Sequence, residues 1–146
     1  MEPIVLVPYA TRYGSTEEVA LAVAQTLRES GVAVETQPVR NVQTLARYGA
    51  IVLGVPLYMG RFHKDARRFL SAHRNTLIEM PVALFVLGPV QTEEKDWAGA
   101  RTQLKKELAK YPWFSHGGQC QGRTYGARSS TVWNSSRVMC RFHWLR

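Results

Sequence analysis

Apolar residues fall along this chain in short unbroken runs, and stretches of helical spacing lie between them. Ile4, Val5, Leu6 and Val7 form the first run, bounded by Pro3 and Pro8, which predicts a strand covered on both faces. Residues 11–16 carry turn chemistry. After them Val19, Val23 and Leu27, joined by Ala20 and Ala24, recur at the spacing of a helix. Ser15 or Thr16 is placed to cap it, Glu17 and Glu18 suit the dipole of its first turn, and Ser30-Gly31 ends it. Residues 32–36 alternate weakly and read as a second strand nearer an edge, and residues 41–48 as a short helix or turn pointed inward by Val42 and Leu45.

The second half repeats the theme. Residues 50–55 are a fully apolar strand, and residues 64–79 place Ala66, Phe69, Leu70, His73 and Leu77 on one helical stripe. Pro81 precedes a strand over 82–87 that stops at Gly88-Pro89, and residues 96–111 form a last helix that buries Trp97, Leu104 and Leu108. Strands apolar on both faces and alternating with helices predict an α/β class with a doubly wound parallel sheet in three layers.

Length and composition agree with one domain: 146 residues, 45% hydrophobic and 21% charged. No apolar run approaches the ~20 residues that cross a bilayer. The start of the chain lacks the basic region of a secretory signal, and two cysteines make no disulfide framework, so a reducing cytoplasm is expected. Charge changes the picture more. The net charge is +8, yet residues 1–116 carry only +3, while residues 117–146 hold five arginines and no acid. We therefore divide the chain into a domain at 1–115 and an atypical basic tail at 116–146, which has no clear apolar strand and reads as disordered or translated out of frame. Its spacing His116-x3-Cys120 and Cys140-x2-His143 lacks the paired CxxC of a zinc site, so no metal is expected. Nor is nucleic acid, because no predicted scaffold presents the tail arginines.

Ligands of doubly wound sheets bind beyond the carboxyl ends of the strands. Three glycine-containing loops leave strands there, at 11–16, 54–61 and 88–91. The first runs into a helix N-terminus, where free amides and the dipole favour an anion, and Thr11, Ser15 and Thr16 add hydroxyls suited to a phosphate monoester. It has neither GxGxxG nor GxxxxGK[ST], which argues against a dinucleotide or a nucleoside triphosphate. Only two aspartates, Asp65 and Asp96, are present, too few for the acidic cluster of a phosphoacceptor domain.

Residues 9–20, Tyr-Ala-Thr-Arg-Tyr-Gly-Ser-Thr-Glu-Glu-Val-Ala, resemble the phosphate loop of the flavodoxin family, [ST]-x-T-G-x-T. Thr11, Gly14, Ser15 and Thr16 match, and Tyr13 stands where the family usually has Thr. The form Thr-Arg-x-Gly-x-Thr is most similar to the subgroup that contains menaquinone-dependent protoporphyrinogen oxidase. Residues 53–61 and 87–90 resemble the second and third flavin loops, so the likeness covers about residues 3–114.

The resemblance implies strand order 2-1-3-4-5, with a fifth strand and last helix that the tail does not visibly supply. It implies FMN as cofactor, its phosphate held by Thr11, Arg12, Tyr13, Gly14, Ser15 and Thr16. Pro56, Leu57, Tyr58, Met59 and Gly60 would line the flavin, with Tyr58 stacked on its ring, and Gly88, Pro89 and Val90 would meet its polar edge. The implied activity is an FMN-dependent oxidoreductase, nearest to oxidation of protoporphyrinogen by a quinone, with no catalytic side chain assigned. A non-catalytic FMN electron carrier and a truncated domain without flavin are the alternatives. The basic cluster Arg61, His63, Lys64, Arg67 and Arg68 reads either as a solvated helix face or as a means of steering an anionic substrate or lipid headgroups, hence an expected place in the cytoplasm and peripherally at the inner face of the membrane.

Overall fold

A computed structural model describes residues 3–87, 94–111, 123–125 and 138–143. The elements in chain order are β1 (Ile4–Tyr9), α1 (Ser15–Glu29), β2 (Val34–Pro38), a 3-10 turn (Val39–Asn41), β3 (Tyr48–Tyr58), β4 (Arg61–Phe62), α2 (Lys64–Ala72), α3 (Arg74–Ile78), β5 (Val82–Leu87), α4 (Glu94–Leu108), β6 (Arg123–Tyr125) and β7 (Val138–His143). Strands β2, β1, β3 and β5 lie side by side and parallel, in the expected order and with β2 at the edge.

Alternation along the strands sorts the core into two layers. Leu6, Ile51, Leu53, Val55, Leu84 and Val86 pack with residues of α2, α3 and α4, whereas Val7, Tyr9, Phe85 and Leu87 pack with Val19, Ala20 and Ala24 of α1. Gly54 sits opposite Phe85 in the register of β3 and β5, and a Cβ there would lie 2.2 Å from the Phe85 Cζ. The phenyl ring therefore rests where a side chain on β3 would stand.

The structure corrects several boundaries. One helix is predicted over 64–79, but His73 leaves helical dihedrals at φ −106° and divides it into α2 and α3. The Leu77 amide still donates to the His73 carbonyl at 2.9 Å, so Leu77 stays on the buried stripe. Of residues 41–48, expected as a short helix or turn, only Asn41 belongs to the 3-10 turn, a second turn falls at 46–47, and Val42 and Leu45 are buried as expected. The tail is expected to contain no strand, yet β7 pairs with β5 and β6 pairs with β7, both antiparallel. The sheet's outer strands thus depart from an all-parallel arrangement. The physical reason is the open edge of β5, a row of backbone donors and acceptors that β7 satisfies.

Three tyrosines are raised above their ordinary pKa of 10.0, in each case by burial first: Tyr9, Tyr48 and Tyr111. Carboxylates add to this, Glu17 beside Tyr9, Glu35 beside Tyr48 and Glu107 beside Tyr111. The Tyr48 hydroxyl donates to Glu35 Oε2 at 2.7 Å, and Arg47 pairs with the other carboxylate oxygen.

Gly54→Ala should cost about 1–3 kcal/mol in chemical denaturation, the usual cost of overpacking. Adding Phe85→Leu should make the pair less destabilised than the sum of the single changes, because the shorter side chain makes room for the methyl. The raised phenols ionise more readily in the unfolded chain. Their stabilisation is complete below pH 10.0 and is lost as pH rises through the higher folded values. Denaturation midpoints should therefore fall in alkali above about pH 10, and fall less steeply in Tyr48→Phe.

Candidate functional site

Two loops meet at the carboxyl edge of the parallel strands because β1 and β3 are neighbours. Tyr9 pairs with Gly54, and the Ala10 amide donates to the Gly54 carbonyl at 3.0 Å, so the chain leaving β1 starts beside the last third of β3.

The first loop is a closed turn. Thr11 Oγ1 accepts from the Gly14 amide at 2.8 Å. Gly14, at φ 93°, takes the left-handed conformation that L side chains avoid, and serves as the N-cap of α1. Ser15 or Thr16 is expected to cap this helix, but they are its first two residues and no side chain caps it. The first intrahelical bond runs from the Glu18 amide to the Gly14 carbonyl at 3.1 Å. The amides of Ser15, Thr16 and Glu17 thus precede the helical ladder and are open to an anion. Thr16 is only 2% exposed, and its hydroxyl takes no hydrogen bond among the described residues. A buried hydroxyl without a partner costs about 1–3 kcal/mol, so an acceptor at this point would offset a standing penalty.

The second loop differs from expectation. Residues 56–58, predicted to lie in the loop beyond the strand, continue β3, which burial of Val55 and Pro56 in the sheet explains. The chain then reverses in two residues, with Tyr58 paired to Arg61. Met59 at φ 48° and Gly60 at φ 77° give both central positions positive φ, as a type I′ hairpin requires. Leu57 is half-buried, while Met59 is 99% exposed.

Arg12 joins the two loops. Its guanidinium lies 5.2 Å from the Tyr13 ring centroid and 5.8 Å from that of Tyr58, and the two rings meet edge to face at 6.5 Å. Tyr13 is 75% exposed and Tyr58 38% exposed, so an aromatic surface remains open at the mouth. Of the sequence-predicted residues, the structure gathers Arg12, Tyr13 and Tyr58 over the loop formed by Thr11, Gly14, Ser15 and Thr16. Gly88, Pro89, Val90 and the Trp97 side chain lie outside the described residues. Among the described residues no group of three or more His, Cys, Asp or Glu could hold a metal.

Glu107 is a residue that sequence reasoning misses. It is fully buried, its Oε1 accepts from the Phe62 amide at 3.2 Å, and Lys110 pairs with its Oε2. Phe62 also stacks on Tyr111, with centroids 6.1 Å apart. These contacts tie the hairpin that presents Tyr58 and Met59 to α4. The available signal was an acid on the stripe of Ala100, Leu104 and Leu108, followed by a lysine three residues on.

Comparison with known proteins gives one consistent grouping. The family described as Flavodoxin domain matches residues 6–131. A protein named protoporphyrinogen IX dehydrogenase [quinone] from Escherichia coli (strain K12) is 26% identical over 111 residues, covering 74% of this chain. The chain spans 61% of the length of that relative. Among solved structures, two-electron reduced Megasphaera elsdenii flavodoxin superposes with a TM-score of 0.56 at 20% identity, covering 70% of this chain and 78% of that one. A point mutant of flavodoxin from Pseudomonas aeruginosa gives 0.53 at 20% identity, with 73% and 75% covered. At these identities the structural likeness concerns the fold.

Glu107→Ala should lower stability by about 2–3 kcal/mol in urea denaturation, because it leaves the buried Phe62 amide without an acceptor. Glu107→Gln, which retains an acceptor oxygen and the volume, should cost distinctly less.

Proposed function

We propose that this chain, which belongs to the flavodoxin domain family, binds FMN and acts as an FMN-dependent oxidoreductase. The observation that carries the reading is the phosphate cradle: an uncapped helix start, a glycine in the left-handed region, and the buried Thr16 hydroxyl without a partner among the described residues. A phosphate monoester answers all three, since it brings negative charge to the helix dipole and acceptor oxygens to the amides and to Thr16.

Each residue then has a part. The Ser15, Thr16 and Glu17 amides and the Thr16 hydroxyl hold the phosphate. Thr11 keeps Gly14 turned so that those amides stay free. Arg12 adds a positive charge that no described carboxylate neutralises, and Tyr58 offers an aromatic face to the ring system. Gly88, Pro89 and Val90 are proposed for its polar edge from the sequence resemblance. Bound FMN supplies two-electron redox chemistry, and the protein supplies binding, orientation and electrostatics.

For the reaction, we take the relative's name as a guide. Protoporphyrinogen is the proposed donor and a quinone the proposed acceptor. Arg12 and Arg61, both exposed on the two loops of the mouth, suit a donor that carries carboxylates. Because quinones reside in lipid, we place the encounter at the inner face of the membrane, with the protein in peripheral contact.

Titration of the purified chain with FMN, followed by absorbance and thermal shift, should give saturable binding and the yellow flavin spectrum. Thr16→Val should weaken binding about tenfold or more, through loss of a hydrogen bond to a charged group. Folded protein that binds no FMN would overturn the reading. Bound flavin that oxidises no porphyrinogen with quinone present would leave an electron carrier.

A further inference from the structure

Met59 occupies a position where methionine is a poor choice. Both central residues of a type I′ turn need positive φ, which favours Asn, Asp or Gly, yet here a long apolar side chain stands at φ 48° and 99% exposed. Neither the core nor the phosphate cradle uses it. Strain kept at a loop tip points to a use for the side chain outside the molecule. Of the five large apolar side chains exposed among the described residues, Met59, Tyr58 and Tyr13 share this one end.

The next turn of chain adds charge. Lys64, Arg67, Arg68, Ser71 and Ala72 recur at i, i+3, i+4, i+7 and i+8, one stripe of α2, and line an open depression of about 690 Å³. The opposite stripe, Ala66, Phe69 and Leu70, is buried in the core, so the basic one faces outward. None of its cations makes an ion pair among the described residues; Asp65 in the same turn lies beside His63 instead. A basic stripe that adjoins an exposed aromatic and methionine tip is the composition of a surface that lies on an anionic bilayer.

We propose that the α2 stripe and the Met59 hairpin form a docking face for anionic lipid, with Lys64, Arg67 and Arg68 on the headgroups and Met59 dipping into the interface. This rests on the proposed encounter with a membrane-borne quinone, and it names the surface that makes it. Docking there turns the end that carries Tyr13 and Tyr58 toward the lipid.

The test is co-sedimentation of the full chain with phosphatidylcholine vesicles, with and without phosphatidylglycerol, at low and high salt. Binding should require phosphatidylglycerol and weaken with salt. Charge reversal at Lys64→Glu, Arg67→Glu and Arg68→Glu together should reduce it about tenfold or more. Met59→Asn should weaken it severalfold while raising the thermal midpoint, since Asn accepts the turn conformation that strains Met. The triple variant keeps every arginine of residues 117–146, so undiminished binding by that variant, with unchanged circular dichroism, would overturn the proposal. Equal binding to both vesicle types would overturn it too, as would retention on heparin without binding to either, which would assign the stripe to a soluble polyanion. Each measurement is made with FMN absent and with FMN saturating. Vesicle binding without flavin uptake would leave the docking face standing while the flavin reading fails; flavin uptake without vesicle binding would do the reverse.

Discussion

The parallel pairing of β1 with β3 is the contact on which the rest of this molecule depends. It is made by two central strands buried on both faces, and it sets Tyr9 against Gly54 at the carboxyl edge. From that register, the turn at Thr11 and the late part of β3 must emerge side by side. The cradle and the aromatic mouth are therefore consequences of backbone hydrogen bonding between strands about 45 residues apart in sequence. Gly54 serves the same arrangement from the opposite strand, because its missing side chain lets Phe85 settle over β3 and close the layer beneath α1.

Much of this was legible beforehand. The apolar runs at Ile4, Ile51 and Val82 marked strands because a strand buried on both faces has no polar face to interrupt it. The stripes led by Val19 and Ala66 marked helices, since their periods left no other register. The cradle was legible because Thr11, Gly14 and Thr16 each supply local backbone chemistry. What escaped was long-range or depended on a single dihedral. Nothing in residues 64–79 announces the departure at His73. The strand β7 is hard to see because Arg141 and His143 interrupt its apolar residues, and because pairing with β5 is a property of the partner edge. Glu107 escaped for the opposite reason: a carboxylate reads as surface unless the amide it serves, 45 residues away, is known.

The two loops of the mouth are held by different means. The first is held locally, by a hydroxyl, a left-handed glycine and a helix start. The second is held at a distance, through contacts of Phe62 with Glu107 of α4 and with Tyr111 just beyond that helix. Arg12 bridges them with contacts to rings rather than to carboxylates. Such contacts are sequence-tolerant in geometry and weak, about 0.5–1 kcal/mol where exposed. The cradle and the hairpin are thus separately anchored parts that meet through one soft joint.

The antiparallel seat of β7 has a further consequence, for the order in which the chain comes to exist. During synthesis β1, β3 and β5 leave the ribosome early and can pair as they emerge, each next to a strand already made. The outer edge of β5 then waits, with unpaired amides and carbonyls, until Val138 and its neighbours follow about 50 residues later. At ordinary elongation rates that interval is roughly 3–10 s. For those seconds the nascent protein presents a flat apolar strand edge to its surroundings, including to the same edge on neighbouring nascent chains.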